Sequence, residues 1–330
     1  MAVLVTGGAG YIGSHMVWAL LDAGQDVVVL DRLSTGFRWA IAPEARFYEG
    51  DIADESLHET VFGENDIDAI IHFAGSIIVP ESVSNPLMYY ENNTVKSRAL
   101  IAAAVKHKVP HFVFSSTAAV YGTPRGTEPV TETEPLSPES PYGSSKLMTE
   151  IMLRDTAAAH DFTYTALRYF NVAGADPRCR TGQSTIGATH LIKVAGEAAL
   201  GKRGHIDVFG TDYPTEDGTC VRDYIHVSDL ANAHLKALER MRAGGGSLVA
   251  NCGYGRGFSV LEVLETVKKV HGKAFDIRYA GRRPGDAVTI VANPTVARQE
   301  LNWQPQYDNL EFIVETALAW EDHLGKRNDR

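Results

Sequence analysis

The run Gly7-Gly8-Ala9-Gly10-Tyr11-Ile12-Gly13 leaves this chain little choice of backbone at its N-terminal end. It follows AVLVT (residues 2–6), an apolar, β-branched stretch that reads as a buried strand. Residues 14–23 then carry helix-compatible apolar spacing, and a second apolar run, residues 27–30, ends at Asp31. Glycines between a strand and a helix let the backbone turn tightly and approach a pyrophosphate, whose charge then lies at the helix N-terminus. Asp31 falls 18 residues beyond Gly13, where a carboxylate accepts hydrogen bonds from ribose hydroxyls. Strand, turn, helix, strand and terminal acid together predict a dinucleotide-binding unit.

Two spacings fit the turn. Gly8, Gly10 and Gly13 satisfy G-x-G-x-x-G, while Gly7, Gly10 and Gly13 satisfy G-x-x-G-x-x-G. The second, written TGGAGYIG, resembles the extended short-chain dehydrogenase/reductase superfamily. Asp31 would repel a ribose 2′-phosphate, so NAD is expected rather than NADP; Arg32 beside it is the one residue that would soften that preference.

The pattern continues along the chain. Residues 47–51 (FYEGD), 69–73 (AIIHF) and 111–116 (HFVFSS) read as further strands, and 92–105 as a helix. Strands alternating with helices at this spacing predict an α/β, Rossmann-type doubly wound parallel sheet. Beyond residue 175 the alternation fades into glycine- and proline-punctuated segments. Residues 1–175 are therefore expected to form the NAD-binding domain and 176–330 a smaller α+β substrate domain, with about 221–250 returning to the first. Ligands of such sheets bind beyond the strand carboxyl ends. Ala74 and Gly75 there suit close approach of a cofactor, and Asn92 is a candidate contact.

With 330 residues, 44% hydrophobic and 22% charged, the chain has the composition of a soluble globular protein. A net charge of −10 argues against nucleic acid as a partner, and no apolar run approaches a membrane span. Three separated cysteines (Cys179, Cys220, Cys252) and a Met1 that leads straight into a strand predict a cytoplasmic protein. His107 and His111 have i, i+4 spacing, but Pro110 interrupts any shared helix face, and no metal site is expected. The polar end from Lys326 is expected to fray.

The chemistry is carried by YGSSK. Of 13 tyrosines only Tyr142 has a lysine, Lys146, four residues on, which places both on one helix face. Ser137-Pro-Glu-Ser-Pro141 should launch that helix, and Ser115, Ser116 and Thr117 end the preceding strand. A free tyrosine has a pKa of about 10, too high for a base at neutral pH. A neighbouring ammonium and a positively charged nicotinamide both favour phenolate, which can take a proton from a sugar hydroxyl as hydride leaves the same carbon.

TGGAGYIGSH, Asp51–Ile52, HFAG, SPYGSSKL, RYFN (168–171) and DYPTEDGTCVRDYIHV (212–227) together resemble the UDP-glucose 4-epimerase family, from Ala2 to about residue 305. The resemblance implies NAD as cofactor, held by Gly7, Gly10, Tyr11, Ile12, Gly13, Asp31, Asp51, Ile52, Phe73, Ala74, Gly75, Asn92, Tyr142, Lys146 and Phe170. For Asp51 a second reading, a cap on the helix from Glu55, stays open. It implies Tyr142 as base and acid, Lys146 as its activator and Thr117 as the hydroxyl that shares the substrate's hydrogen bond. Asn171, His190, Leu191, Asp207, Val208, Phe209, Arg222, Arg283 and Asp286 match positions that hold a UDP-sugar. Independently, a pyrophosphate-bearing substrate needs arginines, and Arg222 and Arg282-Arg283 are local cationic exceptions in an acidic chain; the other reading of Arg222 pairs it with Asp223 or Asp217. Ser76-Ile77-Ile78 stands where some members carry a lysine, and Ile290 occupies a position associated with sugar selectivity.

The expected activity is interconversion of UDP-glucose and UDP-galactose through a 4-keto sugar. Alternatives are epimerisation of another UDP-sugar (N-acetylhexosamine, pentose or uronic acid), a 4,6-dehydratase and a non-catalytic NAD sensor. A dehydratase needs Thr-Asp-Glu where this chain has Thr117-Ala118-Ala119, and a sensor commonly loses the tyrosine or lysine. The helices around 92–105 and 143–160 are expected to pair into a homodimer, since Leu147, Met148, Ile151, Met152 and Leu153 cover more than one face.

Overall fold

The computed structural model describes residues 1–283 and 286–326, so the expected fraying of the extreme C-terminal end lies outside the described residues. In chain order the first part runs β1 (Ala2–Thr6), α1 (Tyr11–Asp22), β2 (Asp26–Asp31), β3 (Arg46–Glu49), α2 (Glu55–Glu64) and β4 (Ile67–His72). It continues with α3 (Val79–Ser84), α4 (Pro86–Tyr89), a π-helical turn (Tyr90–Val95), α5 (Lys96–Lys106), β5 (His111–Ser115), α6 (Pro141–Ala159) and β6 (Thr163–Tyr169). The second part carries β7 (Asn171–Ala173), α7 (Leu191–Ala199), β8 (Ile206–Phe209), β9 (Val221–His226), α8 (Val227–Arg242) and β10 (Leu248–Cys252). Then come β11 (Gly257–Ser259), α9 (Val260–His271), β12 (Ile277–Ala280), β13 (Thr289–Ile290), α10 (Thr295–Glu300) and α11 (Leu310–Lys326).

Seven parallel strands form the main sheet in the order β10-β6-β5-β4-β1-β2-β3. The chain winds outward from β1 to β3, then returns to the other side of β1 with β4, so the switch point lies between β1 and β4. Both faces are buried, which is why the strands read as continuous apolar runs rather than alternating ones. Val3, Val5, Val27, Val29, Ala69 and Ile71 pack on one face with Met16 and Val17 of α1 and Leu230 of α8. Leu4, Val28, Leu30, Ile70, Phe112 and Phe114 pack on the other with Leu100 and Ile101 of α5 and Leu153 of α6.

β10 adds parallel to β6 at the edge of the main sheet, and α8 lies against α1. Outside the main sheet, β9 pairs with β7, β11 and β13, and β8 pairs with β12. The helix expected over 92–105 is instead a π-helical turn continued by α5, and α1 begins at Tyr11 rather than at Ser14. Cys179, Cys220 and Cys252 are free, and no described helix is long and apolar enough to cross a membrane. Among the described residues no group of three or more His, Cys, Asp or Glu is placed to hold a metal ion.

Candidate active site

The glycine turn is enforced by space. Gly7 has φ +73°, and a Cβ on it would meet the Ala74 nitrogen at 2.7 Å, so the turn after β1 lies directly on the segment after β4. A Cβ on Gly13 would stand 2.1 Å from the Gly7 carbonyl oxygen. Gly10 caps α1 without any side-chain acceptor, so the first-turn N–H groups of Tyr11, Ile12 and Gly13 have no carboxylate or hydroxyl to satisfy them. A cradle that admits no side chain, at the positive end of a helix, fits a pyrophosphate and therefore fits NAD. Asp31 is buried and holds the loops around it: Oδ2 accepts from Ala9 N at 2.9 Å and Oδ1 from Leu33 N at 2.8 Å.

Asp51 settles differently from one of its two readings. The cap of α2 is Asp54, whose carboxylate accepts from the Ser56 and Leu57 amides. Asp51 instead accepts from Ala53 N at 3.0 Å and pairs with Lys96 at 2.5 Å and Arg32 at 3.2 Å. Burial pushes its pKa up, but Lys96, the Ala53 amide and Arg32 together hold it below the usual aspartate value. Arg32, the residue that would have softened the preference for NAD, is thereby engaged. Ile52 is buried beside Asp51, and the Phe73 ring packs on His234 with centroids 4.8 Å apart. Asn92 donates to Ser76 Oγ at 2.8 Å, and its neighbour Asn93 accepts from Ser76 N at 2.7 Å and donates to Ser145 Oγ at 3.0 Å.

Tyr142, Lys146 and Thr117 converge. Ser140 caps α6 by accepting from Gly143 N at 3.2 Å, which starts the helix so that Tyr142 and Lys146 enter the protein together. Burial raises the Tyr142 pKa, opposed by a hydrogen bond from Thr117. Lys146 Nζ donates to the Ser115 carbonyl at 3.0 Å and lies 4.9 Å from the Phe114 ring centroid. Burial lowers its pKa to about 8, with Glu150 pulling the other way. The expected lowering of the phenol pKa by the ammonium is not what this geometry gives. Desolvation dominates at Tyr142, and Lys146 is turned to Ser115. A phenol so placed stays protonated until further positive charge arrives beside it.

A second group lies in the other part of the chain. Arg222, on β9, approaches Asp286 (3.7 Å), and Arg283 donates to Asp286 at 3.1 Å while stacking 4.5 Å from the Phe209 centroid. Arg222 pairs with neither Asp223 nor Asp217. The former accepts from the Tyr254, Gly255 and Ala292 amides, and the latter from Ser259 and Thr219. Asp207 is exposed on β8 beside His205, and Val208 is buried. His190 starts α7 ahead of Leu191, with Nδ1 2.7 Å from Gln183 Nε2; burial lowers its pKa. Phe170 connects the two groups: it packs with Ala118, Val120 and Ile290, and Ile290 is the β13 partner of Arg222. Asn171 follows at the start of β7.

Sequence reasoning missed the polar layer beneath this site. Glu150 and Arg168 form a buried bidentate pair, with Arg168 Nε to Glu150 Oε1 3.0 Å and Nη2 to Oε2 2.6 Å. Ser116 Oγ also donates to Glu150 Oε1. Glu150 recurs four residues after Lys146, which is the only signal that could have marked it.

A doubly wound sheet, a side-chain-free phosphate cradle and a Tyr–Lys–Thr trio beside it define an NAD-dependent enzyme of the extended short-chain dehydrogenase/reductase class. The chain belongs to the NAD dependent epimerase/dehydratase family, whose model matches residues 3–253, and within it to the UDP-glucose 4-epimerases. It is 56% identical to a UDP-glucose 4-epimerase of Azospirillum brasilense over 98% of this chain and 92% of that one. The solved UDP-glucose 4-epimerase of Brucella ovis in complex with NAD superposes with a TM-score of 0.94 at 41% identity, covering 98% of each chain. That of Bifidobacterium longum, in complex with NAD+ and UDP, gives 0.93 at 38% identity, also over 98% of each.

Proposed function

We propose that the protein interconverts UDP-galactose and UDP-glucose without net oxidation, with Tyr142 moving the proton at carbon 4. The convergence of Tyr142, Thr117 and Lys146 at the strand ends next to the glycine cradle carries this reading. Bound NAD supplies the hydride acceptor and donor and a positive charge near the phenol. Tyr142 takes the proton of the 4-hydroxyl and later returns it. Thr117 donates to the phenol oxygen and shares the substrate's hydrogen bond, and Lys146 completes the positive environment in which a buried phenolate is tolerated. Around the cofactor, Gly7, Gly10, Tyr11, Ile12 and Gly13 take the pyrophosphate, and Asp31, Asp51 and Ile52 the adenosine. Phe73, Ala74, Gly75, Asn92 and Phe170 complete the cofactor surface.

Arg222, Arg283 and Asp286, with Asp207, Val208, Phe209, His190, Leu191 and Asn171, hold the UDP moiety, so that the sugar itself is gripped loosely enough to turn over. Residues 1–175 then form the cofactor part and 176–330 the UDP-sugar part, with 221–250 contributing to the first. No carboxylate stands at Ala118-Ala119, which disfavours a dehydratase. Incubating the purified protein with UDP-galactose and no added cofactor should yield UDP-glucose; no conversion even with NAD supplied would refute the assignment.

The exposed apolar side chains of Val95, Met148 and Ile151, on the π-helical turn and α6, support a homodimer built on these helices. Leu153 is core, and Leu147 and Met152 pack inward. Light scattering should give twice the chain mass, reduced to the monomer by Ile151→Glu. Free cysteines support a cytoplasmic setting.

A further inference from the structure

We propose that Glu150 is a positioning residue for the reaction, fixing the ends of β5 and β6 against α6 and setting the charge on Lys146. This rests on the epimerase reading above. Tyr142, Lys146 and Glu150 are spaced i, i+4, i+8 along α6 and form one stripe directed at the sheet. The first two meet the reacting groups. The third touches none of them, yet it is 5% exposed and accepts three hydrogen bonds, from Ser116 Oγ, Arg168 Nε and Arg168 Nη2. Ser116 precedes Thr117 in the chain, and Arg168 precedes Phe170 by two residues, so one carboxylate ties down both strand ends that carry site residues. The pair continues outward: Arg168 Nη1 donates to Tyr121 OH at 3.0 Å, and that hydroxyl donates to Asn251 Oδ1 at 2.7 Å. Both Glu150 oxygens and all three Arg168 nitrogens are engaged, which restricts how the layer can rearrange.

Charge is the second part of the role. Lys146 faces the Ser115 carbonyl and the Phe114 ring on β5. From β4 it faces His72, which burial and the ammonium itself keep neutral with a pKa of about 3. Tyr169 of β6 has a phenol raised by burial and bonded to Ser115, and Tyr142 is likewise protonated when alone. Asn93 and Gly75 on the remaining side carry no charge, and a Cβ on Gly75 would lie 3.8 Å from Nζ. Glu150 is therefore the anion that supports the Lys146 ammonium from one helical turn away, and it is at the same time the ion-pair partner of Arg168.

The experiment is the pH dependence of kcat and KM for UDP-galactose in the holoenzyme and in Glu150→Gln, Arg168→Met and the double variant. Glu150→Gln leaves the guanidinium unopposed and should move the alkaline limb of kcat down by about one pH unit, with KM changed less than about twofold. Arg168→Met leaves the carboxylate alone and should move the limb up. The double variant contains no lone buried charge, so it folds even where a single variant does not, and its limb should move down by less than in Glu150→Gln. Titration of labelled lysine by NMR, with Lys146→Met for assignment, should give the same order without catalysis. Limbs that superpose on the wild type, or single variants that shift in the same direction, would overturn the role. Absence of epimerisation in the wild type would refute the function instead, leaving the NMR order to decide this inference.

Discussion

Replacing Lys146 by methionine should stabilise the cofactor-free protein while removing its activity. The ammonium is buried, and its pKa is lowered from 10.5 to about 8. At 1.36 kcal/mol per unit, holding the proton there at neutral pH costs about 3 kcal/mol relative to an unfolded lysine. Methionine fills similar volume without that cost but forfeits the bond to the Ser115 carbonyl, worth about 1 kcal/mol. The net gain is about 2 kcal/mol at pH 7. Below pH 8 both folded and unfolded lysine are charged and the penalty is complete. Between pH 8 and 10.5 the unfolded chain binds more protons than the folded one, so the wild type recovers stability as pH rises; above that window no penalty is left. Urea titrations of both proteins, stripped of cofactor, at pH 7, 8, 9 and 10 should show the advantage of the variant shrinking across this window. A variant less stable at pH 7, or an advantage independent of pH, would refute the reasoning.

Other outcomes follow from the same geometry. Tyr142→Phe should lower kcat by about 10²–10⁴-fold while bound NAD, read by absorbance after denaturation, stays stoichiometric. Gly13→Ala drives a methyl group into the Gly7 carbonyl oxygen, so the protein should purify without NAD and with a lower Tm. Arg222→Ala should raise KM for UDP-galactose by about 10–100-fold and leave kcat nearly unchanged, because a phosphate contact acts equally on substrate and transition state.

Most of the sheet could be read from the sequence because strands buried on both faces give unbroken apolar runs, and because the glycine turn fixes where β1 ends; the start of α1 inside that turn, at Tyr11 rather than Ser14, was not legible. The Tyr–Lys pair was equally legible, its spacing being that of one helical turn. What escaped depends on partners far apart in the chain. Glu150 reads as a solvated charge on an amphipathic helix until Arg168, 18 residues away, is brought beneath it. The π-helical turn at Tyr90–Val95 has no apolar period of its own, being held by Asn93 bonding Ser76 and Ser145. Asp51 reads as a possible cap of α2, but Asp54, three residues on, takes that task, and Asp51 is engaged by Lys96 and Arg32 instead. The rise of the Tyr142 pKa is not legible for a related reason: burial is invisible in the spacing, and it outweighs the Thr117 hydrogen bond.

The central claim is that hydride leaves and returns to carbon 4 within one closed site while Tyr142 carries the proton. UDP-galactose deuterated at carbon 4, converted in ordinary water by the protein as purified, tests it most directly. The UDP-glucose formed should retain deuterium at carbon 4 with no NADH accumulating in solution. Loss of deuterium to solvent, or NADH released in step with product, would contradict the account.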